Sequence, residues 1–232
     1  MAPDGIGTRA AGSVGQSPEA RLRQLHARML TCRSCEQAGF LAHAAPVLPA
    51  PVAGRMMLVG QAPGRVEESA GRPFSGRAGR QLFRWLEAAG LGDEEAARRS
   101  VYITSITKCF PGPAISGSGD RRPSPAEVEL CRGHLDSQLA LLQPWLILAV
   151  GQMALERFLG RLSMDLAVGR VFDSGGAELD PAQALVAAGR RLVLPLPHPS
   201  GASRWLNAPA HRGLLGRALE LLGRLQESPA IA

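Results

Sequence analysis

Four short apolar runs constrain this chain more than any other feature: Arg55–Gly60, Val101–Ile106, Trp145–Val150 and Arg191–Leu196. Each has the length and the aliphatic or β-branched content of a buried strand. Between and after them lie stretches with helical signals: about Ala78–Ala89 stopped by Gly90, Pro125–Leu142 behind the N-cap candidate Ser124, Gln152–Leu159, and Pro209–Leu225. Ahead of the first run, Ser17 and Pro18 form a cap and first-turn pair, and Leu22, Leu25, Met29 and Leu30 recur at helical spacing. Strands alternating with helices predict an α/β fold, a single domain whose mainly parallel central sheet is flanked by helices on both faces. That domain is expected over residues 17–228. Residues 1–16, rich in Gly and Ser and without a hydrophobic period, read as a disordered tail.

In such a sheet, ligands sit beyond the carboxyl ends of the strands, which directs attention to four loops. The first, Gly60-Gln-Ala-Pro-Gly64, continues through Glu67 to Gly71-Arg-Pro-Phe-Ser-Gly76. Its glycines let backbone N–H groups approach an anion or a carbonyl. It matches neither a phosphate-binding Gly-Lys-Ser/Thr loop nor a dinucleotide fingerprint. The second follows Ile106 and carries Cys109. The loop after Leu196 places His198 between Pro197 and Pro199, and two fixed prolines suit an imidazole that must be aimed.

Cys32 and Cys35 form a C-x-x-C pair, with Cys109 and Cys131 as distant singles. No apolar run is long enough to span a bilayer and the first residues lack a signal-peptide core, so a cytoplasmic location and no membrane partner are expected. In that reducing compartment four cysteines read as metal ligands rather than disulfides, and by count they suit zinc or an iron–sulfur cluster equally. The formal charge is +6, and Lys108 is the only lysine, so the basic surface is guanidinium, suited to phosphate. Nucleic acid leads as a partner class, although a codon bias toward arginine would give the same excess.

Taken together, CRSC at Cys32–Cys35, VGQAPG at Val59–Gly64, GRPFSGRAG at Gly71–Gly79, VYITSITKC at Val101–Cys109 and HPS at His198–Ser200 resemble the uracil-DNA glycosylase superfamily, in particular its iron–sulfur, family-four branch. The resemblance covers Arg21 to Leu222. It implies a monofunctional, monomeric DNA-repair glycosylase that flips uracil, or another deaminated or damaged base, out of DNA. The backbone of Gln61, Ala62 and Gly64 would face the base, Phe74 would stack on it, His198 would donate to O2, and Glu67 would lie near the reacting sugar. Gln61, Glu67 and His198 are the catalytic candidates, and Ser105 would meet the base edge. Cys32, Cys35, Cys109 and Cys131 would hold a [4Fe–4S] cluster. Arg77, Ser200, Arg204, Trp205 and Leu206 would contact DNA, with Trp205 and Leu206 as candidate wedges between base steps.

Three departures from the branch stand out. Ser105 replaces a usual asparagine, Gln61 a usual glutamate, and Ala62 stands where another branch has a water-activating aspartate. Residues Pro111–Pro123 form a Gly- and Ser-rich insertion that has Arg121 and Arg122 but no histidine, so covalent trapping on DNA is not expected. These departures leave a weak or inactive lesion-binding protein as the alternative.

Overall fold

The computed structural model describes residues 16–115, 119–186, 189–201 and 205–228; the tail expected over residues 1–16 therefore falls, but for its last residue, outside the described residues. The first segment holds α1 (Pro18–Leu30), α2 (Ser34–Gln37), β1 (Met56–Gly60), α3 (Arg65–Ala70), α4 (Arg77–Ala88), α5 (Glu94–Ser100) and β2 (Val101–Ser105). Then come α6 (Pro125–Leu142), β3 (Leu146–Val150), α7 (Gln152–Leu159), α8 (Met164–Ala167), β4 (Val171–Asp173), β5 (Glu178–Leu179) and α9 (Pro181–Leu185). The chain closes with β6 (Leu192–Leu196), a 3-10 turn at Trp205–Asn207 and α10 (Pro209–Gln226).

Among the described residues the strands form one sheet in the order β2-β1-β3-β6-β4-β5. The four expected strands are its parallel part, β1 pairing with β2 and β3, and β3 with β6. β4 and β5 add an antiparallel edge that the apolar runs did not reveal. All four parallel strands are buried along their whole length, because helices cover both faces. Met56 and Leu58 point to one face, packing with Leu82, Trp85 and Leu86 of α4 and Leu222 of α10. Met57 and Val59 point to the other, against Leu22 and Met29 of α1 and Leu135 of α6. This period-two division is what a strand buried on both sides requires.

Helix starts follow their side chains. The Ser17 hydroxyl accepts the Ala20 N–H at 3.2 Å. Ser124 and Glu127 form a reciprocal capping box at the start of α6, with Pro125 in its first turn. The chain runs from β1 outward to β2, then crosses back to β3 and β6 on the other side of β1. The strand order therefore reverses between β1 and β3, and that reversal opens a crevice at the carboxyl ends of the strands.

Candidate active site

The crevice holds a cavity of about 500 Å³ lined by Gln61, Ala62, Pro63, Gly64, Glu67, Phe74, Ser105, Asp120 and His198, among others. The structure thus gathers the loops after β1, β2 and β6 around one space. Every residue expected at the base or the sugar lies in its wall.

His198 is the best-defined group. Its Nδ1 lies 2.9 Å from the Ser200 hydroxyl and accepts the Ser200 backbone N–H at 3.3 Å. A backbone N–H can only donate, so Nδ1 is unprotonated and the neutral ring carries its proton on Nε2. Burial pushes the His198 pKa below its ordinary value, which also favours the neutral form. Ser200, expected to touch DNA, is therefore the group that orients the histidine.

Phe74 sits in left-handed backbone at φ 55, a strained conformation for an aromatic residue. Its surroundings hold it there: Arg98 donates to the carbonyls of Pro73 and Phe74 at 3.0 and 3.1 Å. A Cβ on Gly79 would fall 1.8 Å from the Phe74 carbonyl oxygen, and one on Gly60 would fall 2.9 Å from the tip of the Phe74 ring. The two glycines are there because the phenylalanine needs their space. Arg98 was not recognisable from its local sequence, since it lies on α5, well after the motif it clamps.

Glu67, in the cavity wall as expected, also has a structural task. Its Oε2 accepts the Gly64 N–H at 3.1 Å and its Oε1 accepts the Gly76 N–H at 2.8 Å. The carboxylate joins the VGQAPG loop to the GRPFSG segment, so its place at the cavity wall is tied to holding that wall together. Ser105 is buried and its hydroxyl donates to the Thr107 carbonyl at 2.7 Å. Only oxygen lone pairs then remain for a ligand in the cavity.

A residue that the motifs did not point to, Asp120, completes the wall. It comes from the Pro111–Pro123 insertion, whose described flanks pair like the two arms of a hairpin: Pro113 and Asp120 form a β-bridge, the Ala114 N–H donates to the Gly119 carbonyl at 2.9 Å, and the Arg121 N–H to the Gly112 carbonyl at 3.0 Å. Partial burial, then the charge of Glu67, push the Asp120 carboxyl above the usual range, against the Arg65 backbone N–H and charge. Arg121 anchors the hairpin with a two-pronged bridge to Glu127, both contacts at 2.7 Å. That bridge holds the Glu127 carboxyl down at about 2.

Cys32, Cys35, Cys109 and Cys131 line a second, smaller pocket with Lys108 and His134. Burial, followed by the neighbouring cysteines, raises the Cys35 thiol to about 11 and the Cys109 thiol to about 12. The Lys108 N–H donates to Cys131 Sγ at 3.3 Å. Among the described residues no three His, Cys, Asp or Glu side chains converge as they would on one metal ion.

Lys108 itself is buried between the two pockets. Its ammonium donates to Thr104 Oγ1 at 3.0 Å and to the Ser105 carbonyl, and burial pushes its pKa down to about 8. The Thr104 hydroxyl donates to Gln138 Oε1 at 3.2 Å, Gln138 Nε2 donates to the Tyr102 hydroxyl at 2.6 Å, and that hydroxyl meets His26 Nε2 at 2.7 Å. A buried polar network with every member partnered is rigid, and this one locks the end of β2 that presents Ser105.

Of the DNA-contact candidates, Ser200 lines the cavity and Trp205 shares an adjoining pocket with Gln61 and His198. Arg77 is exposed at the start of α4, and Arg204 lies outside the described residues. The Trp205 indole stacks on His211 with ring centres 4.3 Å apart and donates to Asp165 Oδ1. Trp205 and Leu206 both rest partly on the core.

The model of the uracil DNA glycosylase superfamily matches residues 49–219. The chain belongs to this superfamily. Among its members, the type-4 uracil-DNA glycosylase of Pyrobaculum aerophilum is 35% identical over 143 residues, 60% of this chain and 67% of that protein. The type-4 enzyme of Archaeoglobus fulgidus is 35% identical over 130 residues, 54% of this chain and 57% of that protein. That of Thermotoga maritima is 36% identical over 104 residues, 45% of this chain and 48% of that protein. The superfamily match takes in the β1, β2 and β6 loops but begins after Cys32 and Cys35. The aligned region thus spans about half to two thirds of these relatives' lengths.

Proposed function

We propose that this member of the superfamily removes uracil from DNA by hydrolysing its N-glycosidic bond after the nucleotide has left the stack. The observation that carries the reading is the His198 tautomer: a neutral imidazole whose Nε2–H is free to donate, in the same cavity as Phe74 and the Gln61–Gly64 backbone. Breaking the bond between C1′ and N1 leaves negative charge on the base, largely at O2. A fixed donor at O2 in a site emptied of water strengthens as that charge grows, which lowers the barrier rather than merely binding the substrate. Phe74, clamped by Arg98 and Gly79, offers a ring for the base to stack on. The type-4 names of the relatives support uracil as the base.

Ser105 would accept the N3–H of uracil through its lone pairs. Having given its proton to Thr107, it offers no donor to O4, so discrimination against other bases should be weaker than an amide would provide. Arg77 and Arg204 would meet phosphates. Leu206 is the better wedge, because Trp205 is already held by Asp165 and His211. The protein would act as a monomer in the cytoplasm.

Cys32, Cys35, Cys109 and Cys131 suit a [4Fe–4S] cluster: four thiols line one pocket, with a backbone N–H directed at one sulfur. Bound there, the cluster would supply a covalent tie between the segment after α1, the loop after β2 and α6. Ligation would displace thiol protons that burial otherwise retains.

Purified protein should open oligonucleotides carrying uracil at alkali-labile abasic sites, and do so faster than those carrying hypoxanthine or xanthine. Saturable binding to uracil DNA with no abasic product at enzyme excess would replace this reading with that of a lesion-binding protein.

A further inference from the structure

Hydrolysis needs a base for the attacking water as well as a donor for the departing uracil. The loop after β1 supplies none: Gln61 and Ala62 cannot take a proton. Two carboxylates stand in the cavity wall, and both crowd the point where a Cβ on Gly64 would sit, Asp120 Oδ2 at 2.6 Å and Glu67 Oε2 at 2.7 Å. Gly64 has an ordinary extended backbone, φ −91 and ψ 179, so its lack of a side chain serves this close approach and not a turn. The two acids differ in what they already hold. Glu67 has a backbone donor on each oxygen, from Gly64 and Gly76. The Arg65 backbone N–H lies beside Asp120 and favours its ionised form, but among the described residues Asp120 has no pair of backbone donors like that of Glu67.

Resting on the glycosylase reading above, we propose that Asp120 is a catalytic residue: its carboxylate stands beside the sugar of the flipped nucleotide and takes the proton of the attacking water. The C1′–N1 bond breaks with its electron pair leaving on the base, where the His198 Nε2–H meets it at O2. The water oxygen bonds to the cationic C1′, one water proton passes to the Asp120 carboxylate, and the uracil anion takes a proton from solvent. The hairpin positions the acid for this step. The Pro113 bridge and the Arg121 fork on Glu127 hold Asp120 from both sides at the edge of the crevice. The nearby charges are Glu67, Arg65 and Arg121. The first opposes the ionised form and Arg65 supports it.

The test compares duplexes in which the reacting nucleotide is replaced by a pyrrolidinium, which carries the charge of the cationic sugar, or by a neutral tetrahydrofuran. Binding of both by the full-length protein is measured with free uracil present. The wild type should prefer the pyrrolidinium, and Asp120→Asn should reduce that preference about tenfold while leaving tetrahydrofuran affinity and thermal stability near wild type. Asparagine keeps an oxygen for the Arg65 N–H, so a purely structural Asp120 would show no change in the ratio. On uracil DNA, Asp120→Asn should slow single-turnover excision by about 10²–10³-fold, in the range of a lost general base, and Asp120→Glu should recover part of it. An unchanged preference ratio in Asp120→Asn overturns the proposal, as does a wild-type excision rate. Should wild type release no uracil yet Asp120→Asn still abolish the preference for charge, the place of the carboxylate stands and the glycosylase reading falls.

Discussion

The two pockets at the end of β2 are built on opposite plans. The cysteine pocket draws on helices and on loops tied to them, and behind it the Lys108, Thr104, Gln138 and Tyr102 network leaves few groups free to move. The cavity beside it is walled by glycine-rich loops, a strained phenylalanine and an inserted hairpin, each held by a long-range contact. One region has the chemistry of a scaffold, in which any lost member loosens the whole. The other is a set of separately supported parts, so single residues can change rate or selectivity without unfolding the chain. Both meet at β2, whose end carries Ser105 on the cavity side and leads directly to Lys108 and Cys109 on the other.

The largest expected effect lies in the scaffold. Cys131→Ser should remove bound iron and most of the folded yield, measured as iron per chain and visible absorbance of anaerobically purified protein. Wild-type protein containing one zinc and no iron would break the contrast between cluster and cavity as drawn. In the cavity, His198→Ala should lower the single-turnover excision rate by about 10²–10³-fold, as when one preorganised donor to a developing oxyanion is removed. Affinity for uracil DNA should change far less, and equal losses in both would mean that the ring binds rather than catalyses.

Ser105→Asn is a smaller change in selectivity. An amide can donate and accept at the base edge, so the ratio of uracil to hypoxanthine excision should rise by about tenfold, roughly one hydrogen bond's worth. If the ratio stays flat, Ser105 does not meet the base. The smallest effect concerns His26, behind the sheet. Burial, then the Lys108 charge, lower its pKa from 6.5 to about 4. The unfolded chain takes up a proton near pH 6.5 that the folded chain refuses until about pH 4, so this contribution to stability is present above 6.5 and lost as pH falls through that window. His26→Asn should flatten the decline of the melting temperature between pH 6.5 and 4, and a parallel decline in both proteins would place the acid sensitivity elsewhere.

Much of this was legible in the chain itself. β1, β2, β3 and β6 announce themselves because strands buried on both faces are continuously apolar, and α6 because Ser124 and Pro125 mark its start. The β4–β5 edge is short, interrupted by the Asp173-Ser-Gly-Gly turn, and leaves no period to read. At the site, motifs led to His198, Phe74, Gln61 and the cysteines. They gave no sign of what Glu67 holds, the backbone N–H groups of Gly64 and Gly76, because Gly76 comes beside it only on folding. Asp120 carried one faint signal: a carboxylate in an insertion at the carboxyl edge of the sheet. Its direction depends on the Pro113 bridge and the Arg121–Glu127 anchor, and those contacts exist only in three dimensions.

Lys108 has one more consequence, for anyone handling the protein. It is the single lysine in 232 residues and is 1% exposed. Reagents that attack side-chain amines therefore find no lysine on the folded surface, and surface coupling through lysine would fail. The same isolation makes the residue a reporter. Any acylation of Lys108 records a moment when the end of β2 has opened, so the labelling rate in native buffer reads the local opening equilibrium at the junction of cysteine pocket and cavity, one site per chain and without background from other lysines.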